Sequence, residues 1–253
     1  KGDEWKRIEP FKATQIEKAE GIDTYLSIIR TSLNKLSGKT YDAHKKHIMD
    51  NINNIMNTGE SSDIINHNIS IISKSLFDIV SNNKFYSNIY ANLFSEFVKI
   101  YDFFNDITNS IPEKYMNSIL NISPVDQNKD YDKFCEMNKE NDKRKSLITF
   151  IINLVKNNTL SIQILEQIYN YLDNILITNI DNPENTQING EIVENIFIIL
   201  TDASELLHKT TLWESIKPQI NMISKYKSKD HKGISSRAIF KYMDMATIVN
   251  KIV

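Results

Sequence analysis

His44 and His47 stand three residues apart with Asp50 a further turn on, a spacing that would set two imidazoles and a carboxylate on one helix face, as metal ligands require. Lys45 and Lys46 lie between them and no His-Glu-x-x-His pattern accompanies them, so a solvated polar face is the simpler reading. His67, His208 and His231 stand alone. The one cysteine lies in Asp132-Lys133-Phe134-Cys135-Glu136, where neighbouring carboxylates disfavour the thiolate that a nucleophile needs. It has no partner for an intrachain disulfide, which points to a reducing compartment. No Gly-x-Ser-x-Gly elbow occurs, and the six glycines are too scattered to build a phosphate-cradling loop. The expectation is a protein that is not an enzyme and needs no metal or other cofactor.

Two basic clusters remain. Lys143-Arg144-Lys145 forms one; Lys225, Lys227, Lys229 and Lys232 form the other. Runs of this kind can neutralise phosphates and give RNA a salt-dependent, sequence-independent foothold. The net charge of −2 makes any such attraction local, and a solvated charged face is the competing reading.

The elements that must position these groups follow from composition and periodicity. At 253 residues, 41% hydrophobic and 25% charged, the chain is long enough to bury a core without staples. No apolar run approaches the roughly 20 residues of a membrane span, and the charged opening Lys1-Gly2-Asp3-Glu4 is not a signal peptide. The expected setting is the cytoplasm. The 41 Ile and 30 Asn, with only four Arg among the 30 basic residues, reflect AT-rich codons; a low-GC protist or a large DNA virus fits this bias. Asn-rich stretches are accordingly given little functional weight.

Hydrophobic spacing is helical almost throughout. Tyr90, Leu93, Phe94, Phe97, Tyr101 and Phe104 make one stripe; Leu165, Ile168, Tyr169, Leu172 and Leu176 another; Ile65, Ile69, Ile72, Leu76 and Ile79 a third. Ile196 to Leu200 is rich in strand formers, but Glu191, Glu194, Asp202 and Glu205 keep a helical polar face around it. Breakers and caps place helix starts near 23, 41, 61, 86, 111, 131, 160, 190, 211 and 235, with a long mobile loop over 178–190 and a shorter one over 121–129. Taken in pairs these give units of roughly 40 to 50 residues, near the HEAT-type period. The fold expected is all-α, a HEAT-like solenoid of about five antiparallel helix pairs over residues 21–253, with residues 1–20 as a flank.

Ser27-Ile28-Ile29-Arg30-Thr31-Ser32-Leu33-Asn34-Lys35-Leu36-Ser37, followed by Tyr41, resembles the first helix of the middle domain of translation initiation factor 4G, with its Leu-Asn-Lys-Leu motif and trailing aromatic. Four further segments resemble that family in order: Phe85 with Tyr90-Ala91-Asn92; Lys143 to Lys145 before Phe150-Ile151 and Leu154; Lys217-Pro218; and Ser235-Ser236-Arg237 with Phe240 and Asp244. Ile239 stands where the family usually carries a second arginine, and the glycines often found around the Phe-Ile-x-x-Leu helix are missing.

The resemblance implies a five-pair scaffold for translation initiation that binds both lobes of the DEAD-box helicase initiation factor 4A and stimulates its unwinding of RNA. Matched by motif, Leu33, Leu36 and Tyr41 would contact one lobe, and Arg237 and Phe240 the other; Trp5 in the N-terminal flank would dock the helicase's C-terminal lobe. Leu33 and Leu36 equally fit a core stripe with Leu26 and Ile29, and Trp5 could pack back on the first pair. Phe240 lies about 100° round from the apolar stripe Ile239, Tyr242, Met243, Ala246 and Val249, towards an edge a partner could reach. Auxiliary mRNA contacts would fall to Lys143, Arg144, Lys145, Lys225, Lys227 and Lys229, and a cap-binding protein would be recruited by regions outside this chain. The alternative is a related or generic helical-repeat adaptor in RNA processing, decay or transport.

Overall fold

The computed structural model describes residues 21–252, and Trp5 lies outside them. Ten α-helices follow one another: α1 (Ile22–Asn34), α2 (Tyr41–Met56), α3 (Ser62–Ser81), α4 (Ser87–Ile100), α5 (Phe104–Leu120), α6 (Tyr131–Lys156), α7 (Ile162–Asn179), α8 (Thr186–Leu207), α9 (Trp213–Ile223) and α10 (Ser236–Lys251). No strand occurs among the described residues, and no helix there is long and apolar enough to cross a membrane. Each odd helix packs on the even one that follows it. One layer then stacks as α1, α3, α5 and α7, the other as α4, α6, α8 and α10. This is the all-α, solenoid-like arrangement that the periodicity implies.

The layers meet on large apolar side chains. Phe77 of α3, Phe94 of α4, Phe104 of α5 and Phe150 of α6 form a ring cluster with centroids 5.4–6.2 Å apart, mostly edge-on or tilted, which suits their quadrupoles. Every member of the Tyr90-to-Phe104 stripe is buried, but not as one helix. The chain turns at Tyr101 to Phe103, and Phe104 re-enters the cluster as the first residue of α5, stacked on Phe97 at 6.0 Å.

Two expected boundaries need correction. α5 begins at Phe104 rather than near 111, and Pro112 sits inside it. A proline there removes one backbone N–H, but the helix is held by its buried face of Thr108, Ile111, Tyr115 and Ile119, so packing outweighs the lost bond. Likewise 178–190 is no long loop. α7 runs to Asn179, a single 3-10 turn covers Pro183–Asn185, and α8 starts at Thr186 with Gly190 inside it. Ile196 to Leu200 lies within α8; Ile196, Ile198, Ile199 and Leu200 are buried, Phe197 half-buried against the core, so neighbours on several sides explain a run that reads as strand.

Polar groups tie the layers together. The Tyr115 hydroxyl, fully enclosed, donates to Asn195 Oδ1 at 3.0 Å, and Asn195 Nδ2 donates to the Glu191 backbone oxygen at 2.8 Å and to Glu191 Oε1 at 3.2 Å. Phe in place of Tyr115 would leave the buried amide oxygen without a donor. Tyr115→Phe is expected to cost about 1–3 kcal/mol in urea-induced unfolding, with the slope against denaturant unchanged.

Candidate functional site

At the N-terminal end, Leu33 and Leu36 are 1% and 3% exposed. They complete the core, and the Leu33 carbonyl accepts a 3.1 Å hydrogen bond from the Tyr90 hydroxyl of α4. Neither is accessible to a partner, so both are corrected from contact residues to core: Leu33 lies on the buried stripe of α1 with Ile29, and Leu36, just past the helix end, joins the same core. Tyr41 is half-buried. Its hydroxyl donates to Glu96 Oε1 at 2.8 Å while Lys45 Nζ donates to Glu96 Oε2, also at 2.8 Å, clamping α2 to α4. Burial and then the Glu96 carboxylate push the Tyr41 hydroxyl far above the ordinary phenol range. Burial alone would raise Glu96, but the bonds from Lys45 and Tyr41 outweigh it and hold the carboxyl below its usual value. Tyr41 is thus primarily a clamp that leaves part of its ring accessible.

The C-terminal end differs. Ser235 caps α10 by accepting from the Ala238 N–H at 3.2 Å, which presents the first turn outward. Arg237, with 84% of its side chain exposed, reaches Glu194 Oε1 at 3.2 Å, and Lys241 reaches Glu194 Oε2, also at 3.2 Å. Phe240 is 62% exposed and Met243, one turn on, 45%. The stripe expected to be buried included Met243; Met245 takes that place in the core, and Met243 joins Phe240 on the outer face. Helix phase explains the exchange: Met245 falls between Tyr242 and Val249 on the packed side, and Met243 does not.

The two basic clusters are equally unlike. Arg144 is buried and donates to the carbonyls of Ser118 at 2.8 Å and Asn121 at 3.5 Å and to Asn141 Oδ1, so it caps the C-terminal end of α5. Burial lowers its affinity for a proton, with Glu191 and Glu140 opposing that effect. Lys143 pairs with Glu140 at 2.6 Å, and Lys145 with Glu191 at 3.6 Å and Asp142 at 3.7 Å. Each cation here has a carboxylate or carbonyl to answer it. Arg144 is corrected from an RNA contact to a structural residue, and this cluster makes no free positive patch.

Lys225, Lys227, Lys229 and Lys232 are exposed in the α9–α10 connection and have no ion-pair partner among the described residues. Their loop is firmly seated. Gly233 N–H donates to Ile180 O at 2.8 Å, Asn189 Nδ2 donates to Gly233 O at 2.8 Å and to Asn179 O at 3.1 Å, and His231 Nδ1 lies 2.8 Å from Asp181 Oδ1. The Tyr226 and His231 rings stack at 4.0 Å. Gly233 lacks a side chain, and that is what allows this approach. A Cβ there would lie 2.6 Å from Asn182 O, 2.7 Å from Ile180 O and closer still to Asn179 O.

A cavity of about 460 Å³ lies elsewhere and was not foreseen. It is a groove between the N-terminal half of α6 and the first turns of α8 and α10, with Phe134 and Met137 on one wall and Glu191, Glu194, Arg237 and Lys241 on the other. Among the described residues, no group of three or more His, Cys, Asp or Glu is placed to hold a metal; His47 Nδ1 lies 3.0 Å from Ser32 Oγ. Comparison with protein-family models and with curated proteins finds no match to this chain.

Replacing Gly233 with alanine is expected to unseat the basic loop. Hydrogen exchange of the Gly233 and Ile234 amides should quicken by at least about tenfold in Gly233→Ala, while amides in α3 and α4 keep their protection.

Proposed function

We propose that this chain is a scaffold domain of translation initiation that binds and stimulates the DEAD-box helicase initiation factor 4A in the cytoplasm, with auxiliary mRNA binding. The observation that carries the reading is Phe240, a large aromatic held in the open on a capped, rigid terminal helix beside Arg237, in the segment whose Ser235-Ser236-Arg237 pattern resembles that family. An exposed aromatic flanked by arginine is the composition of an interface hot spot. Stimulation is a population shift: the scaffold accelerates turnover only to the extent that it binds productive lobe arrangements better than unproductive ones. The helicase contact at the N-terminal end is carried by Tyr41 and the accessible polar residues around it. RNA is met by Lys225, Lys227 and Lys229, which the seated loop presents together.

Burial of Leu33 and Leu36 favours a second reading, a helical adaptor in RNA processing, decay or transport that never touches this helicase. Adding the chain to the helicase and measuring RNA-stimulated ATP turnover separates the two; absence of both binding and rate change removes the first. Phe240→Ala is expected to weaken the complex about tenfold or more, with the thermal midpoint of the chain unchanged. For RNA, the triple change Lys225→Glu, Lys227→Glu, Lys229→Glu should weaken binding of a uridine 20-mer. Each lost phosphate contact should flatten the log-affinity against log-salt line by about 0.7.

A further inference from the structure

The stretch from Lys225 to Lys232 in the α9–α10 connection carries four lysines, one carboxylate and two rings. All four lysines and the carboxylate, Asp230, are exposed, and none of the five has an ion-pair partner among the described residues. The rings meet because the turn closes on itself. The Asp230 and His231 N–H groups both donate to Lys227 O, at 2.9 and 3.2 Å, which folds His231 back over Tyr226 until the two rings lie 4.0 Å apart and within 19° of parallel. Tyr226 is half-buried against the core, so the imidazole lies on its outer side. His231 keeps 28% of its side chain exposed. The order from the inside outward is therefore core, Tyr226, His231 and solvent.

This pair is held from three directions. His231 Nδ1 lies 2.8 Å from Asp181 Oδ1, the Thr186 hydroxyl donates to Lys232 O at 3.2 Å, and Ser228 Oγ lies 3.1 Å from Ser236 Oγ at the start of α10. A ring fixed before its ligand arrives loses little further freedom on binding. Lysines alone would hold any polyanion, since neutralising phosphates carries no preference for strand or base. A flat ring set among them adds a contact that only an unpaired base can use, because the faces of paired bases are already covered by their neighbours in the duplex. An acidic peptide would engage the lysines and leave the ring idle.

We propose that Tyr226 and His231 form a stacking platform for one unpaired base of a single-stranded RNA, whose flanking phosphates lie on Lys225, Lys227, Lys229 and Lys232. The inference rests on the RNA contact proposed for this loop and adds to it a contact with a base, which makes the loop prefer single strands to duplex.

Fluorescence-anisotropy titrations with an adenosine 20-mer and with an abasic ribose-phosphate 20-mer of the same charge separate the two contributions. The chain should bind the adenosine strand at least about tenfold more tightly than the abasic one. His231→Ala should abolish that difference while the abasic affinity stays within about twofold. His231→Phe, which gives up the bond to Asp181 but keeps a ring, should retain it. Hydrogen exchange of the Gly233 amide in each variant reports whether the loop is still seated. An RNA duplex of 20 base pairs should compete more weakly than the adenosine strand. Failure of the unaltered chain to bind either strand removes the RNA contact itself and the platform with it. Equal binding of the two strands, a difference that persists in His231→Ala, or its loss in His231→Phe with the Gly233 amide still protected leaves the RNA contact standing and overturns the platform. Tighter binding of polyglutamate than of the adenosine strand assigns the loop to an acidic protein and overturns it as well.

Discussion

A carboxylate held away from water must be surrounded by groups that favour it, and Glu191 imposes that constraint on the middle of the molecule. Burial raises its proton affinity, while Lys145, Asn195 and Arg144 act in the opposite direction. Asn195 in turn is fixed by Tyr115, and Lys145 belongs to the same turns of α6 as Arg144, which closes the end of α5. Satisfying one acid therefore sets the mutual register of α5, α6 and α8. Small shifts along any of these helices would leave a buried polar group unanswered. The floor of the groove inherits its shape from this arrangement.

The aromatic cluster does complementary work nearer the N-terminus. Rings from four consecutive helices interlock there, while hydrogen bonds join α1 to α4 through Tyr90, α2 to α4 through Tyr41 and Glu96, and the last pairs through Asn189. The outward face of α10 can then carry Phe240 and Met243 at no cost to the core, because Tyr242, Met245 and Val249 already fill the inner side.

Fold class was legible because helical period is written over every long segment, and capping serines and glycines mark most ends within a few residues. Pro112 and Gly190 misled because they are local signals overruled by packing on a continuous buried face. Leu33 and Leu36 fit a core stripe and a family motif equally well; only the position of α3 and α4 against them decides. Asparagine was discounted as a product of codon bias, yet Asn189 and Asn195 are both fully buried and hold two of the main inter-helix joints. Bias supplied the residue type and the fold used it at particular places, a distinction no single sequence can display. The groove drew on residues from four separate segments whose meeting depends on α6 continuing well past the end of α5, and spacing along the chain carries no trace of that.

The docking of Gly233 against the carbonyls after α7 has a mechanical consequence. Springs made of stacked helices usually bend at every joint, but here the last joint is riveted by main chain to main chain as well as by side-chain packing. The α9–α10 connection is thereby tied to the end of α7 through backbone and side chains together. The lysine loop and the start of α10 therefore share one anchor, the carbonyls that follow α7.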